Sequence, residues 1–450
     1  MFDLAALPVW LSGRRWFGSK GAKITSAEVV DEARLGGSNV ATIEVRYAAD
    51  RLPERYLLPL RSDDTPLEDA SDDAAWLAIF DVIRGRREVP TRAGKLRGER
   101  FDGADSPLAT LPPRPTVRRL SAEQSNTSLV FGEAVILKLI RKLDEGRNPE
   151  LEIGAMLARR GFRSTPTLLG ALSLEGRFEA TVGVAHRFVR VESDGWSYVL
   201  ESFVKEPTPS PQLLAEIREL GARIGELHAA LAAPDDPAFA PEPIRREDLQ
   251  RWSAGLLAEL ERTIRVAASA VPGLKERRDA LRGRIERLAT AKPSGVRIRQ
   301  HGDLHLGQVL RAGGQWLIFD FEGEPARPLA ERREKHCPYK DVAGMLRSFS
   351  YAAAAAQKRG APAGNRSGPA REAFLQGYDS RAGGLLPTEE ATAKLLLASL
   401  ELEKLLYELR YEVGHRPDWV AIPAGDLFRD GYRDGDTMEW RPPGAPGGDP

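Results

Sequence analysis

Residues 300–308 read QHGDLHLGQ, and the architecture of the chain follows from what this loop does. It gathers two of the chain's six histidines, two glycines and one aspartate, Asp303. A second carboxylate, Asp320, closes the apolar run of QWLIFDFEGEP, 12 residues beyond Gln308. One reading makes Asp303 and His301 the corner of a polar turn and Asp320 the cap of a strand. The other makes Asp303 a base aimed at an acceptor hydroxyl and Asp320 a metal ligand.

The second reading has a chemical rationale. Phosphoryl transfer needs the phosphates cradled, Mg2+ held by oxygen ligands and the acceptor hydroxyl aimed by a carboxylate. Mg2+ takes hard oxygen donors, which the Gln308 amide and the Asp320 carboxylate supply. The spacing from Asp303 to Gln308 matches that of a protein-kinase catalytic loop, where Asn stands in place of Gln. His301 and His305 read as loop-holding groups, since no zinc-type partner set lies near them.

Bulk properties set the frame. At 450 residues the chain can form roughly two to four domains or subdomains. Lys+Arg and Asp+Glu balance at 65 each, which argues against a nucleic-acid protein held by bulk charge. One cysteine, Cys337, excludes an intramolecular disulfide and a cysteine-cluster metal site; a reducing cytoplasm is the expected compartment. The opening MFDLAALPVWLSGRRWFG has no basic residue before its apolar patch and reads poorly as a signal peptide. No run approaches the ~18 apolar residues of a membrane helix. The expectation is a cytoplasmic protein without nucleic-acid or membrane partners.

Along the chain, residues 1–88 read as a small α+β cap: strands in ATIEVRYA and RYLLPL, then a helix in DDAAWLAIFDVIRG. Residues 89–205 read as a strand-rich lobe interrupted by a helix at NPELEIGAMLARRGF. Residues 206–450 read as mainly helical, with a hairpin-like insertion carrying the catalytic stretch and a long last helix in TEEATAKLLLASLELEKLLYELRYEVGH. QKRGAPAGNRSGPA reads as a mobile loop, and the chain ends in an acidic Gly/Pro-rich tail. The order of elements is α+β rather than a run of βαβ units.

The nucleotide grip must come from the strand-rich part. The polar turn in QSNTSLVFG presents hydroxyls and backbone N–H groups suited to phosphates. Lys138 interrupts the apolar strand VILKLI, a costly position unless it meets an anion. Glu152, on the helix that Pro149 begins, offers a carboxylate partner; the alternative is a lysine snorkelling at a strand edge. AHRFV is a candidate interlobe hinge. Asp341 and Arg347 read as a buried pair, or as support for the catalytic loop. Arg327, Glu331 and Arg332 read as groups shaping the acceptor pocket or bridging lobes.

HGDLHLGQ, DFEGEPARPLAERR and KDVAGMLRSFSYAA together resemble the bacterial maltokinases, of the aminoglycoside-phosphotransferase-like kinase superfamily. RRWFGSKG near the start and EKLLYELRYEVGHRPDW near the end share the resemblance, which runs across nearly the whole chain. It implies a bilobal protein-kinase-like α+β fold with an N-terminal cap, a strand-rich N-lobe and a helical C-lobe. It also implies ATP and Mg2+ as cofactors and phosphorylation of the anomeric hydroxyl of maltose. The product would be maltose 1-phosphate for α-glucan (glycogen) synthesis, with a functional link to a trehalose synthase and a maltosyltransferase.

Carried onto this sequence, the resemblance makes Asp303 the base and Gln308 and Asp320 the metal ligands. Ser125, Asn126, Thr127 and Ser128 become the phosphate loop, with Lys138 and Glu152 the anchoring pair. Lys404, Tyr407, Glu408, Tyr411 and Arg416 are the sugar candidates, because 404, 408 and 411 share a helical face that 407 adjoins. Two alternatives stand beside this. One keeps the chemistry with glucosamine or an aminoglycoside as acceptor; Lys404 and Arg416 beside Glu408 look too mixed for the strongly acidic pocket of an aminoglycoside kinase. The other is a non-catalytic nucleotide-binding module. Two departures are plain: Phe-Glu follows Asp320 where a protein kinase has Phe-Gly, and the phosphate loop is not glycine-rich.

Overall fold

The computed structural model describes residues 6–48, 51–67, 72–101, 103, 106–120 and 125–428. Gln124 of the phosphate-loop stretch and most of the acidic tail lie outside them. The chain divides after Arg190 into two compact units, with Arg327–Glu331 grouped with the first.

The first unit opens with helix α1 (Leu7–Ser12) and the strands β1 (Ile24–Arg34), β2 (Ser38–Tyr47) and β3 (Glu54–Arg61). Helix α2 (Asp73–Arg84) follows, capped by the Asp72 carboxylate, which accepts from the Ala75 N–H. Next come β4 (Glu88–Pro90), β5 (Gly94–Arg100), the short α3 (Pro107–Thr110), β6 (Val117–Arg119), β7 (Thr127–Phe131), β8 (Val135–Leu139) and β9 (Lys142–Leu143). Helix α4 (Pro149–Arg159) and the hairpin β10 (Leu168–Gly176) and β11 (Ala180–Arg187) complete it.

Two sheets result, ordered β1-β2-β3-β9 and β4-β5-β10-β11-β8-β7-β6. The run from Tyr56 to Leu60 is apolar because both faces of β3 are covered there. Tyr56, Leu58 and Leu60 face a core with Leu7, Leu11, Trp16 and Phe17, whereas Leu57 turns to the α2 side with Trp76, Ile79 and Phe80. Phe80 stacks on Phe131 with ring centroids 4.0 Å apart, fixing α2 against the seven-stranded sheet.

The second unit is mainly helical. It begins with β12 (Ser193–Asp194), α5 (Gly195–Lys205), α6 (Pro211–Leu231), β13 (Glu242–Pro243), α7 (Arg246–Ala267), α8 (Arg278–Thr290) and β14 (Val296–Arg297). The hairpin β15 (Val309–Ala312) and β16 (Gln315–Ile318) follows, then α9 (Leu329–Arg332), α10 (Tyr339–Lys358), α11 (Ser367–Ala382), α12 (Glu390–His415) and α13 (Ala421–Phe428). Leu402, Leu405, Leu406 and Leu409 turn one face of α12 into a core with Leu256, Leu260, Leu281 and Ile285. This leaves the 404/408/411 face turned elsewhere. No helix among the described residues is long and apolar enough to cross a membrane.

The stretch QKRGAPAGNRSGPA is a loop only in part: α10 runs to Lys358, α11 starts at Ser367, and the buried Arg366 ties down the connection between them. The Arg366 guanidinium donates to the carbonyls of Phe203 at 2.5 Å, Glu206 at 2.8 Å and Pro362 at 2.7 Å.

Candidate active site

The spacing between Gln308 and Asp320 is a hairpin spacing. Val309 pairs with Ile318 and Ala312 with Gln315, leaving Gly313-Gly314 as a two-residue turn. Both glycines have positive φ, 56° and 71°, as a type I′ turn requires. The residues flanking the ladder therefore meet: the Phe319 N–H donates to the Gln308 carbonyl, and Gln308 Nε2 lies 3.0 Å from Asp320 Oδ2. Asp320 sits at φ 67°, a left-handed conformation that aspartate tolerates better than most residues.

The loop before the hairpin is held by its own histidines. His301 Nε2–H donates to the Phe319 carbonyl at 2.9 Å, which leaves Nδ1 to accept from the Asp303 N–H at 3.4 Å. His305 Nδ1 accepts from the Gly307 N–H at 2.9 Å. That bond needs a neutral ring, and burial, against the pull of Asp303, does push the His305 pKa down. Helix α10 braces the same loop. A Cβ on Gly344 would lie 2.2 Å from the Leu304 carbonyl oxygen, so only glycine lets the helix and loop approach.

Asp341 and Arg347, read from sequence as a mutual pair, each have other partners. The buried Asp341 accepts from the backbone N–H groups of His301 at 2.8 Å and Gly302 at 2.9 Å. His228 Nε2 stands 3.0 Å from the same carboxylate, and Tyr378 Oη lies 2.9 Å from His228 Nδ1. Burial would raise the Asp341 pKa, but the His228 bond and the backbone donors bring it below the ordinary value. The loop-support reading of Asp341 is the one this geometry matches. Arg347 bonds Glu408 at 2.6 Å and Asp426 at 2.7 Å.

A cavity of about 450 Å³ opens beside Asp303. It is lined by Asp303, His305, Arg347, Lys404, Tyr407, Glu408, Tyr411, Glu412 and Arg416, with Trp196, Tyr351 and Trp419. All five sugar candidates therefore share one cavity wall with the candidate base. Lys404 Nζ sits between Glu324 at 2.6 Å and Asp303 at 3.3 Å; burial would lower its pKa, but these two charges drive it up. Burial pushes the Glu408 pKa up despite Arg347. Glu412 accepts from Tyr351 Oη at 2.6 Å and Arg416 Nε at 2.9 Å, and the Arg416 guanidinium lies over both Tyr411 and Trp419. Arg327 pairs with Glu331 at 3.6 Å and Arg332 donates to the Glu322 carbonyl, and none of these three lines the cavity.

The nucleotide candidates lie in the first unit. Ser125 is exposed and Asn126 buried, whereas Thr127 and Ser128 belong to β7, paired with Leu139 and Lys138. The polar turn is thus shorter than its sequence suggested. Lys138 is half-buried on β8, and Glu152 is half-buried on α4. Sequence reading passed over Glu150, buried in the first turn of α4, 3.7 Å from His186. Burial and the charge of Lys138 hold His186 down to about 4.

A loop with the Asp-to-amide spacing of a kinase catalytic loop, a carboxylate–amide pair at a hairpin base and a walled cavity beside Asp303, on a bilobal α+β fold, match one class, the kinase-fold phosphotransferases. The chain belongs to the phosphotransferase enzyme family, whose model matches residues 116–375. It is an ATP-dependent phosphotransferase acting on a small-molecule hydroxyl acceptor.

Its similarities are to particular sugar kinases. A glucosamine kinase of Mycolicibacterium smegmatis is 30% identical over 322 residues, covering 69% of this chain and 78% of its own. A glucosamine kinase of Streptacidiphilus jiangxiensis is 29% identical, with 68% and 71% covered. A solved glucosamine kinase in complex with glucosamine, ADP and inorganic phosphate shares the fold at a TM-score of 0.70 and 23% identity, covering 93% of this chain and 98% of that one.

The maltokinase resemblance is met at the cap, where residues 10–86 match the maltokinase N-terminal cap domain. The expectation of maltose as acceptor, with trehalose synthase and maltosyltransferase as associates, is overturned by relatives that are glucosamine kinases.

Proposed function

We propose that this protein transfers the γ-phosphoryl group of Mg-ATP to a hydroxyl of a small amino sugar, glucosamine being the first candidate. The observation that carries this is the charge around the acceptor cavity. Lys404 is paired with Asp303 and Glu324, Arg347 with Glu408 and Asp426, and Arg416 with Glu412. Asp303, Glu408 and Glu412 line the cavity with these three cations, and Glu324 and Asp426 stand behind them, so every lining cation already meets a carboxylate. Glu408, with its pKa pushed up by burial, gains from a further cation nearby, as an ammonium would be. Tyr407, Tyr411 and Trp419 suit the C–H faces of a sugar ring.

In this reading Asp303 takes the proton from the acceptor hydroxyl as its oxygen bonds to the γ-phosphorus; the bond to the bridging oxygen breaks and ADP leaves. Lys404 orients the base. Ser125, Asn126, Thr127 and Ser128 hold phosphates, with Lys138 and Glu152 as the anchoring pair. The donor set fits Mg2+. Among the described residues no cluster of three His, Cys, Asp or Glu could hold a metal alone. Asp320 and the Gln308 amide oxygen, completed by phosphate oxygens and water, are the kind of site Mg2+ accepts. When bound there, Mg2+ would neutralise phosphate charge.

The test is ADP release with glucosamine, glucose and N-acetylglucosamine. An ammonium-reading cavity favours glucosamine over glucose by about tenfold or more in kcat/KM and rejects the acetylated sugar. Equal rates on glucose and glucosamine, or preference for N-acetylglucosamine, would overturn the reading.

A further inference from the structure

One part of the acceptor cavity's wall stands on a turn rather than on a long helix. Trp419 closes the short turn Pro417–Trp419 that joins α12 to α13, and it lines the cavity while only half-buried. Within the turn the Trp419 N–H donates to the Arg416 carbonyl at 2.8 Å and the Val420 N–H to the Pro417 carbonyl at 3.2 Å. These bonds shape the backbone and leave the indole to be fixed by side chains.

Helix α10 supplies them. Tyr351 and Lys358 stand two helical turns apart and so share a face. The Tyr351 ring lies parallel to the Trp419 ring, with centroids 6.4 Å apart and planes 7° apart. Lys358, exposed in the last turn of α10, sets its Nζ 4.8 Å over the indole and donates from it to the Asp418 carbonyl at 2.8 Å. One ammonium thus holds both the ring and the backbone that carries it. The Arg416 guanidinium also lies over the indole, at 5.0 Å, but it is paired with Glu412. Lys358 itself is not among the residues lining the cavity.

We infer that Lys358 is a positioning residue for the acceptor: from outside the cavity it holds Trp419 in the wall and so sets how tightly the acceptor binds. This rests on the proposed reading of the cavity as the acceptor site. The side chain serves twice, as a cation on the indole face and as a charged donor to a main-chain carbonyl. A lysine that only complemented the C-terminal end of α10 would change stability and leave acceptor affinity alone. Lys358 holds the wall from behind and makes no contact with Asp303, so its loss moves the KM for the acceptor and spares the chemical step.

Steady-state kinetics of the full-length Lys358→Met, Lys358→Arg and Trp419→Leu variants decide this, with glucosamine and ATP varied in turn. Lys358→Met should raise the KM for glucosamine by about fivefold, with kcat and the KM for ATP within about twofold of wild type. Lys358→Arg keeps a cation for the indole and a donor for the carbonyl, and should return the KM for glucosamine to within about twofold. An unchanged KM for glucosamine in Lys358→Met, equal rises for glucosamine and ATP, or an arginine variant as impaired as the methionine one overturns the inference. Trp419→Leu separates the two levels. If it leaves the KM for glucosamine unchanged, the acceptor reading of this cavity fails and takes the inference with it; if it raises that KM while Lys358→Met does not, only the role of Lys358 fails.

Discussion

Replacing Asp341 by Asn tests how the catalytic loop is held. Its carboxylate accepts two backbone N–H groups, from His301 and Gly302, at 2.8 and 2.9 Å, and faces His228 Nε2 at 3.0 Å. Hydrogen bonds to a charged group contribute about 1.5–3 kcal/mol each. Asparagine keeps one acceptor oxygen, loses the charge and turns an NH2 toward a donor. The loss is therefore about 3–5 kcal/mol, part of it from a donor left buried without a partner. If about 3 kcal/mol of that reaches the transition state, which needs Asp303 in place, kcat falls roughly 100-fold. None of the three groups is assigned to the nucleotide, so the KM for ATP should move by less than about threefold. Steady-state kinetics on the folded variant are the assay. A kcat within about threefold of wild type would refute the brace.

Three further outcomes follow from the geometry. Hydrogen bonds from Lys142, Ser19, Tyr47 and Tyr56 overcome burial and hold Glu54 at about 2, below its ordinary 4.5. A depressed carboxylate stabilises above its unfolded pKa and loses that share as pH falls through the folded value, so about 3 kcal/mol should vanish between pH 4.5 and 2. Glu54→Gln should lack this share at neutral pH, measured as the urea midpoint by tryptophan fluorescence. Arg347→Met leaves Glu408 and Asp426 buried without their cation, a loss of about 3–5 kcal/mol at pH 7. The deficit in thermal unfolding should narrow as pH falls, because Glu408, whose pKa burial already raises, takes up a proton. Arg366→Ala should release the 359–366 stretch, read as new proteolytic nicking there with wild-type turnover.

What sequence could reveal depended on how local the signal was. The Gln308–Asp320 meeting was legible because a two-residue Gly-Gly turn makes a symmetric hairpin, and the 12-residue spacing then brings its flanks together. The cavity face of α12 was legible because i, i+4 and i+7 positions align on any helix, whatever packs behind them. The brace of the loop was not. His228 lies 113 residues from Asp341 and 150 from Tyr378, and no local period encodes such partners. Glu408 and Asp426 reach Arg347 across 61 and 79 residues, which is why the pairing of Arg347 with Asp341 was a reasonable local guess and wrong. Arg141 reads from sequence as one more basic residue after a strand; only the Leu57 carbonyl, 84 residues earlier, reveals it as buried. Maltose was misjudged because no motif says which partners the cavity's charges meet: Lys404 reaches Glu324 and Arg347 reaches Asp426 only in the fold.

The claim on which all of this stands is that Asp303 drives phosphoryl transfer to an amino sugar in the cavity it shares with α12. Phosphorus NMR of a reaction holding ATP, Mg2+ and glucosamine, with wild type and Asp303→Asn run side by side, tests it most directly. Wild type should convert the γ-phosphorus resonance into a sugar phosphate monoester with one ADP per product, and Asp303→Asn should leave ATP intact. No ester from wild type, or an equal rate of ester formation in Asp303→Asn, would contradict it.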